Sequence, residues 1–170
     1  MNQDVDIVIK FQGRNMSDKN DEYFMRLAIK EAQKAFDEDE VPVGAVIVIN
    51  GKVIASAHNT RQKKHDVFGH AECKVIQKAT KKLGTWILDQ ATLYVTLEPC
   101  LMCCGAIIQS RISRLVYATS EPKFGCAGSI CNVFENHLFN HHVEVQHGIL
   151  KDMSVSLLKE YFNKKRMKKS

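Results

Sequence analysis

Thr92-Leu93-Tyr94-Val95-Thr96-Leu97-Glu98-Pro99-Cys100-Leu101-Met102-Cys103 is the stretch whose reading decides the fold. Its first six residues are apolar or β-branched and predict a strand. Glu98-Pro99 then opens a helix, with Pro where its missing N–H costs nothing. Cys100 and Cys103 are three apart at the start of that helix, so both sulfurs lie on one face. The same helix end carries partial positive charge, which favours the thiolate form that a metal requires.

Thirty residues upstream of Cys100 stands His70-Ala71-Glu72. His70, Cys100 and Cys103 make three ligands of the kind that zinc takes. Three protein ligands, with a fourth position left to water, is the composition of a catalytic site rather than a structural one. Glu72 cannot easily bind the same ion, because positions i and i+2 diverge on a regular helix. It is free to take a proton from the neighbouring water and deliver it to a leaving group. Three other thiol arrangements compete. Cys104 could replace Cys103, Cys73 shares the face of His70, and Cys126 with Cys131 could complete an all-thiolate site. Each of these four is read as a small buried residue, since free Cys packs as a small hydrophobe.

Outward from this centre, Ser17 or Asp18 caps a helix running to about Asp37, with Phe24, Leu27, Ala28, Ala32 and Ala35 at helical spacing. Val43 to Ile49 is a continuous apolar run that predicts a strand buried on both faces. Asn50-Gly51 is a hairpin turn signal, because both positions of a type I′ turn need positive φ. Val53 to Ala57 returns. His58 to Gly69 reads as a loop. A helix from near His70 buries Val75, Ile76, Ala79 and Leu83. Further strands are expected at Arg114 to Ala118 and Val143 to His147. A last helix runs from about Asp152 into the tail, burying Val155, Leu158 and Phe162. These alternating elements predict a three-layer α/β/α sandwich on a mixed five-stranded sheet.

With 45% hydrophobic and 25% charged residues, a chain of 170 residues is one ordinary globular domain. It divides into an N-terminal extension, 1–17, and a domain, 18–170, with a basic C-terminal helix. No apolar run is long enough for a bilayer, and the first residues lack the pattern of a secretory signal. Six Cys accounted for without disulfides place the chain in a reducing cytoplasm. Six of the 24 basic residues and one of the 19 acids fall between Lys159 and Ser170. The remaining 18 of each sign balance, so the tail carries the whole net charge of +5 and points to a phosphate-rich partner.

The chain resembles the bacterial tRNA-specific adenosine deaminases of the zinc-dependent cytidine deaminase superfamily. The split H-x-E and P-C-x-x-C signature belongs to zinc deaminases. The resemblance runs from about Asp21 to Arg166. It includes Glu40-Val41-Pro42-Val43-Gly44-Ala45-Val46, His70-Ala71-Glu72, Leu93 through Cys100, Met102-Cys103, Gly105-Ala106, Ser110-Arg111-Ile112 and Ala127-Gly128-Ser129. Asn140-His141 and Val143-Glu144 continue it. It implies a cytidine-deaminase-like fold and one Zn²⁺ per subunit. It implies a homodimer that hydrolyses adenosine to inosine at the wobble position of a tRNA anticodon. Glu72 is then the proton shuttle, and Asn59, Pro42 and Val43 contact or line the base pocket. Lys164, Lys165 and Arg166 contact the tRNA backbone, and the anticodon stem-loop presents a flipped base.

Two segments depart from the family pattern. Asp66 is followed by Val67-Phe68-Gly69 rather than Pro-Thr-Ala or Pro-Ser-Ala, so Gly69 is expected to loosen the approach to His70. Phe68 is either a stacking surface for a base or a residue packed on the core. Glu121-Pro122 stands where the family often has Asp. Two other functions compete with this reading. One is a deaminase of a free nucleobase, nucleoside or nucleotide of the cytosine or guanine type. The other is a non-catalytic, zinc-stabilised RNA-binding module.

Overall fold

The structure, a computed structural model, describes residues 16–168. Nearly all of the 1–17 extension lies outside them. Helix α1 spans Met16–Asp37 and already contains Ser17 and Asp18, so neither stands at the capping position. Helix ends shift by a residue or two in this way when the first turn continues past the strongest cap. The hairpin follows, β1 over Gly44–Ile49 and β2 over Lys52–His58. Asn50 and Gly51 have φ of 49° and 72°, the left-handed pair that the turn demands.

After β2 the chain makes a short helical turn, α2 (Arg61–Lys64), inside the segment expected to be loop. The cause is tertiary: Glu40 reaches from 22 residues away to accept the Gln62 and Lys63 N–H groups at 3.1 and 2.6 Å. Then come α3 (Ala71–Leu83), β3 (Ala91–Leu97), α4 (Leu101–Gln109), β4 (Arg114–Thr119), β5 (Glu144–His147) and α5 (Lys151–Met167). The sheet order is β2-β1-β3-β4-β5, antiparallel on the hairpin side and parallel from β3 to β5.

Period-two alternation sorts the strands onto two cores. Ala45, Ile47, Leu93, Val95, Leu115 and Tyr117 face α3 and α4, whose Val75, Ile76, Ala79, Cys104, Ile107 and Ile108 close that side. Val46, Val48, Tyr94, Val116 and Ala118 face α1, with Phe24, Met25 and Ala28. Helix α5 packs beside α1 on this second face. The result is the expected α/β/α sandwich. Gly44 is obligatory in it, because a Cβ there would lie 2.0 Å from the Ala28 carbonyl oxygen of α1.

Two helix faces differ from expectation. Leu83 ends α3 exposed. In α5 the buried pair is Ser154 and Tyr161, Val155 and Leu158 are half-buried, and Phe162 is 47% exposed. The hydroxyls decide this rotation: Ser154 Oγ donates to the Thr96 carbonyl at 2.6 Å and Tyr161 to the Asp39 carbonyl at 3.1 Å. On α3, Lys78 and Lys82 lay their ammonium groups on the Ser56 and Ile54 carbonyls of edge strand β2. Among the described residues no helix is long and apolar enough to cross a membrane.

Candidate active site

Both His70 and Cys100 occupy N-cap positions, of α3 and α4 respectively, with extended backbone. Helix α4 thus starts at Leu101, two residues later than the Pro99 start expected, and Cys103 lies in its first turn. The two helix N-termini converge over the end of β3. His70 Nδ1 lies 3.7 Å from Cys100 Sγ and 3.5 Å from Cys103 Sγ. These three ligand atoms lie within 4.8 Å of one another, the one such group among the described residues. Hydrogen bonding from Cys103 and His70 draws the Cys100 thiol down to about 4, against the opposing pull of burial. A soft cation is the natural replacement for the protons these groups share.

Beside the trio, Glu72 is 4% exposed. Burial pushes its carboxyl up to about 7, although its own backbone N–H and His70 favour the charged form. A carboxyl poised there can hold and release a proton near neutrality. Cys73 Sγ stands 3.8 Å from Cys103 Sγ and does not join the ligand trio. Cys104 and Cys126 are buried as expected, Cys73 is half-buried, and Cys131 is exposed. No disulfide forms among the described residues.

His70 and Cys100 open into a cleft of about 520 Å³, with Cys103 buried behind them, lined also by Val43, Asn59, Glu72, Val67, Phe124 and Phe162. Asn59 is buried, and its Oδ1 accepts the Ala71 N–H at 2.9 Å. Its amide NH₂ remains as the donor available to the cleft. Pro42 is buried but is not a wall residue. In this extended segment Val41 and Val43 share the cleft side and Pro42 points away. Phe68 is 64% exposed, so it does not pack on the core. Gly69 tightens rather than loosens the approach to His70. A Cβ there would meet Arg61 backbone atoms at 2.9 Å, and Thr60 N–H donates to its carbonyl.

The tail residues lie at the far end of α5. Lys165 pairs with Asp39 at 2.7 Å and is half-buried, Lys164 stands over the Phe36 ring at 5.1 Å, and Arg166 bonds Asn163. Lys165 and Arg166 line a groove that shares Leu97, Glu121, Lys123 and Phe162 with the cleft. Sequence reasoning missed two buried carboxylates that build the cleft walls, Glu40 and Glu98. The signal was their position, each beside the apolar end of a strand segment, where an unpartnered Glu is costly. Glu98 accepts N–H bonds from Glu121, Ala127 and Ser129 at 2.9 to 3.0 Å, and the Ser129 hydroxyl.

A MafB19-like deaminase family model matches residues 19–166. The tRNA-specific adenosine deaminase of Bacillus subtilis (strain 168) is 49% identical over 149 residues, covering 88% of this chain and 92% of the relative. One solved structure comes from biochemical and structural studies of A-to-I editing by tRNA:A34 deaminases at the wobble position of transfer RNA. It is 43% identical, with a TM-score of 0.77 over 80% of this chain and 99% of that one. A guanine deaminase from Bacillus subtilis is 39% identical, with a TM-score of 0.56 over 58% of this chain and 64% of that one. Fold, the His70, Cys100 and Cys103 cluster and relatives agree: the chain belongs to the tRNA-specific adenosine deaminase family, on the cytidine-deaminase-like fold.

Proposed function

We propose that this protein deaminates adenosine to inosine at the wobble position of a tRNA anticodon. The observation that carries the reading is the trio His70, Cys100 and Cys103 with buried Glu72 beside it at the base of an open cleft. One imidazole and two thiolates fit a zinc ion, and among the described residues no fourth ligand closes the group. When bound, zinc supplies a water whose pKa falls toward about 7.

The chain's own groups then divide the work. Glu72 takes the proton of the attacking water and returns it to the adenine ring nitrogen. It then takes the remaining O–H proton of the added water and carries it to the amino group, which leaves as ammonia when the C6–N bond breaks and the C6 carbonyl forms. The amide NH₂ of Asn59, its carbonyl already held by Ala71, donates to the base. Val43 packs against the base, with Pro42 behind the wall. Phe124 and Phe162 offer stacking faces for nucleotides splayed from the loop.

Lys164, Lys165 and Arg166 serve the phosphate backbone, with Lys165 the least available because Asp39 holds it. The protein acts as a homodimer. The exposed Val67, Phe68, Leu101 and Phe124, all in or next to the cleft segments, support that assembly. Six free thiols suit a reducing cytoplasm.

Incubation with total tRNA and, separately, with free nucleosides and guanine tests the reading. Sequencing of the treated tRNA is expected to show an A-to-G change at one anticodon position, with matching ammonia release. Product from the free compounds alone would favour the free-base deaminase reading that the guanine deaminase likeness keeps in play.

A further inference from the structure

We infer that Glu98 is a positioning residue for the RNA: its side chain clamps the 121–129 loop into the wall of the cleft and so sets how nucleotides beside the target base are held. The inference rests on the RNA-deaminase reading above. Glu98 is 3% exposed and directly follows β3, two residues before the candidate ligand Cys100. Its Oε2 accepts the Glu121 N–H at 2.9 Å and the Ser129 hydroxyl, and its Oε1 accepts the Ala127 and Ser129 N–H groups at 3.0 and 2.9 Å. A carboxylate has about four acceptor sites, so this one is fully used by a single loop.

Between the anchors at 121 and 127 the chain projects Lys123 and Phe124, both of which line the cleft, Phe124 at 68% exposed. Gly125 makes the clamp possible. A Cβ there would lie 2.4 Å from both Cδ and Oε2 of Glu98. Gly125 also bridges Cys100 across an antiparallel backbone contact, and the Cys126 N–H donates to the Pro99 carbonyl at 2.9 Å. The candidate ligands are also held outside this loop: His70 at the start of α3, where Lys74 N–H closes on its carbonyl, and Cys100 and Cys103 at the start of α4, where Cys104 N–H closes on the Cys100 carbonyl. Loosening the Glu98 clamp therefore frees the 121 and 127–129 ends of the loop, while 125–126 stay tied to Cys100 and Pro99 by backbone contacts that do not use the carboxylate.

Glu98→Gln keeps the shape and removes one acceptor. Its carbonyl can still serve Ala127 and Ser129, and its NH₂ can donate to the Ser129 hydroxyl, which leaves the Glu121 N–H facing a donor. For an anticodon stem-loop RNA, KM is expected to rise about tenfold while kcat stays within about threefold, the mark of lost uniform binding. Metal content is expected to stay at one ion per chain, and amide exchange at Glu121 to accelerate. Gly125→Ala is the second variant and should reproduce the split. In a Glu98→Ala background the added methyl should cost less, because the clash with the carboxylate is gone and only the Glu121 carbonyl at 2.6 Å remains. Unchanged KM and unchanged exchange would overturn the inference, and so would a fall in kcat with loss of metal. Exchange is measured without RNA, so a wild type that fails on RNA sinks the functional reading and leaves the clamp to be judged by exchange.

Discussion

Asn59 lines the cleft and, through Oδ1, accepts the Ala71 N–H at 2.9 Å, so one side chain both faces the cleft and caps the helix that begins after His70. The two roles are separable. Asn59→Asp keeps an acceptor for Ala71 and adds charge that the helix N-terminus favours. It loses only the NH₂ donor. Its melting temperature should stay near wild type while kcat/KM on the stem-loop falls at least about tenfold. Asn59→Ala should lose both roles, with about 1 kcal/mol less stability in denaturant unfolding. Equal activity in the Asp variant would remove Asn59 from base recognition.

Glu72→Gln preserves shape and removes the proton carrier. Turnover should fall by at least about 10²–10⁴-fold in single-turnover assays. Metal analysis should still find one ion per chain, because Glu72 is not among the three ligand atoms. A variant that keeps activity would support the binding-module reading instead.

The buried pair Asp21 and Arg114 predicts how the fold responds to acid. Burial disfavours Asp21 ionisation, but hydrogen bonds from Arg114 at 2.8 Å and Tyr94 at 2.7 Å outweigh it and hold the carboxyl below its ordinary value. A depressed folded value means the stabilisation is present above the unfolded carboxyl value, about 3.9, and is lost as pH falls below it. Asp21→Asn should destabilise by about 2 kcal/mol at neutral pH, since the half-buried Arg114 loses its charged partner on α1 and keeps Glu144 at 3.3 Å and Gln146. Its unfolding free energy should also vary less between pH 5 and pH 2.

Neutralising the tail tests the phosphate contacts. Replacing Lys164, Lys165 and Arg166 together by Gln should weaken stem-loop binding and reduce the salt slope by about 0.7 per lost phosphate contact. Lys165→Gln alone should contribute least, because its ammonium is already paired with Asp39. A salt series with an unaltered slope would return the tail to a solvated helix end.

What the sequence made legible was local. Asn50-Gly51 announces its turn because positive φ is a property of those two residues, and β1 announces its burial through an unbroken apolar run. The convergence of His70, Cys100 and Cys103 was readable because each half sits at a helix start, where spacing alone sets direction. The rest depends on contacts far apart in the chain. Helix α2 exists because Glu40 caps it, and nothing within Arg61–Lys64 shows that. Tyr161 rather than Phe162 is buried because its hydroxyl has an acceptor on Asp39, 122 residues away. The work of Glu98 appears only when a loop more than twenty residues downstream folds back onto it.

Two ammonium groups resting on the outer carbonyls of β2 also bear on self-association. A strand from a second molecule would have to evict Lys78 and Lys82 before it could pair along that flank. The hairpin side of the sheet is thereby guarded against edge-to-edge strand addition.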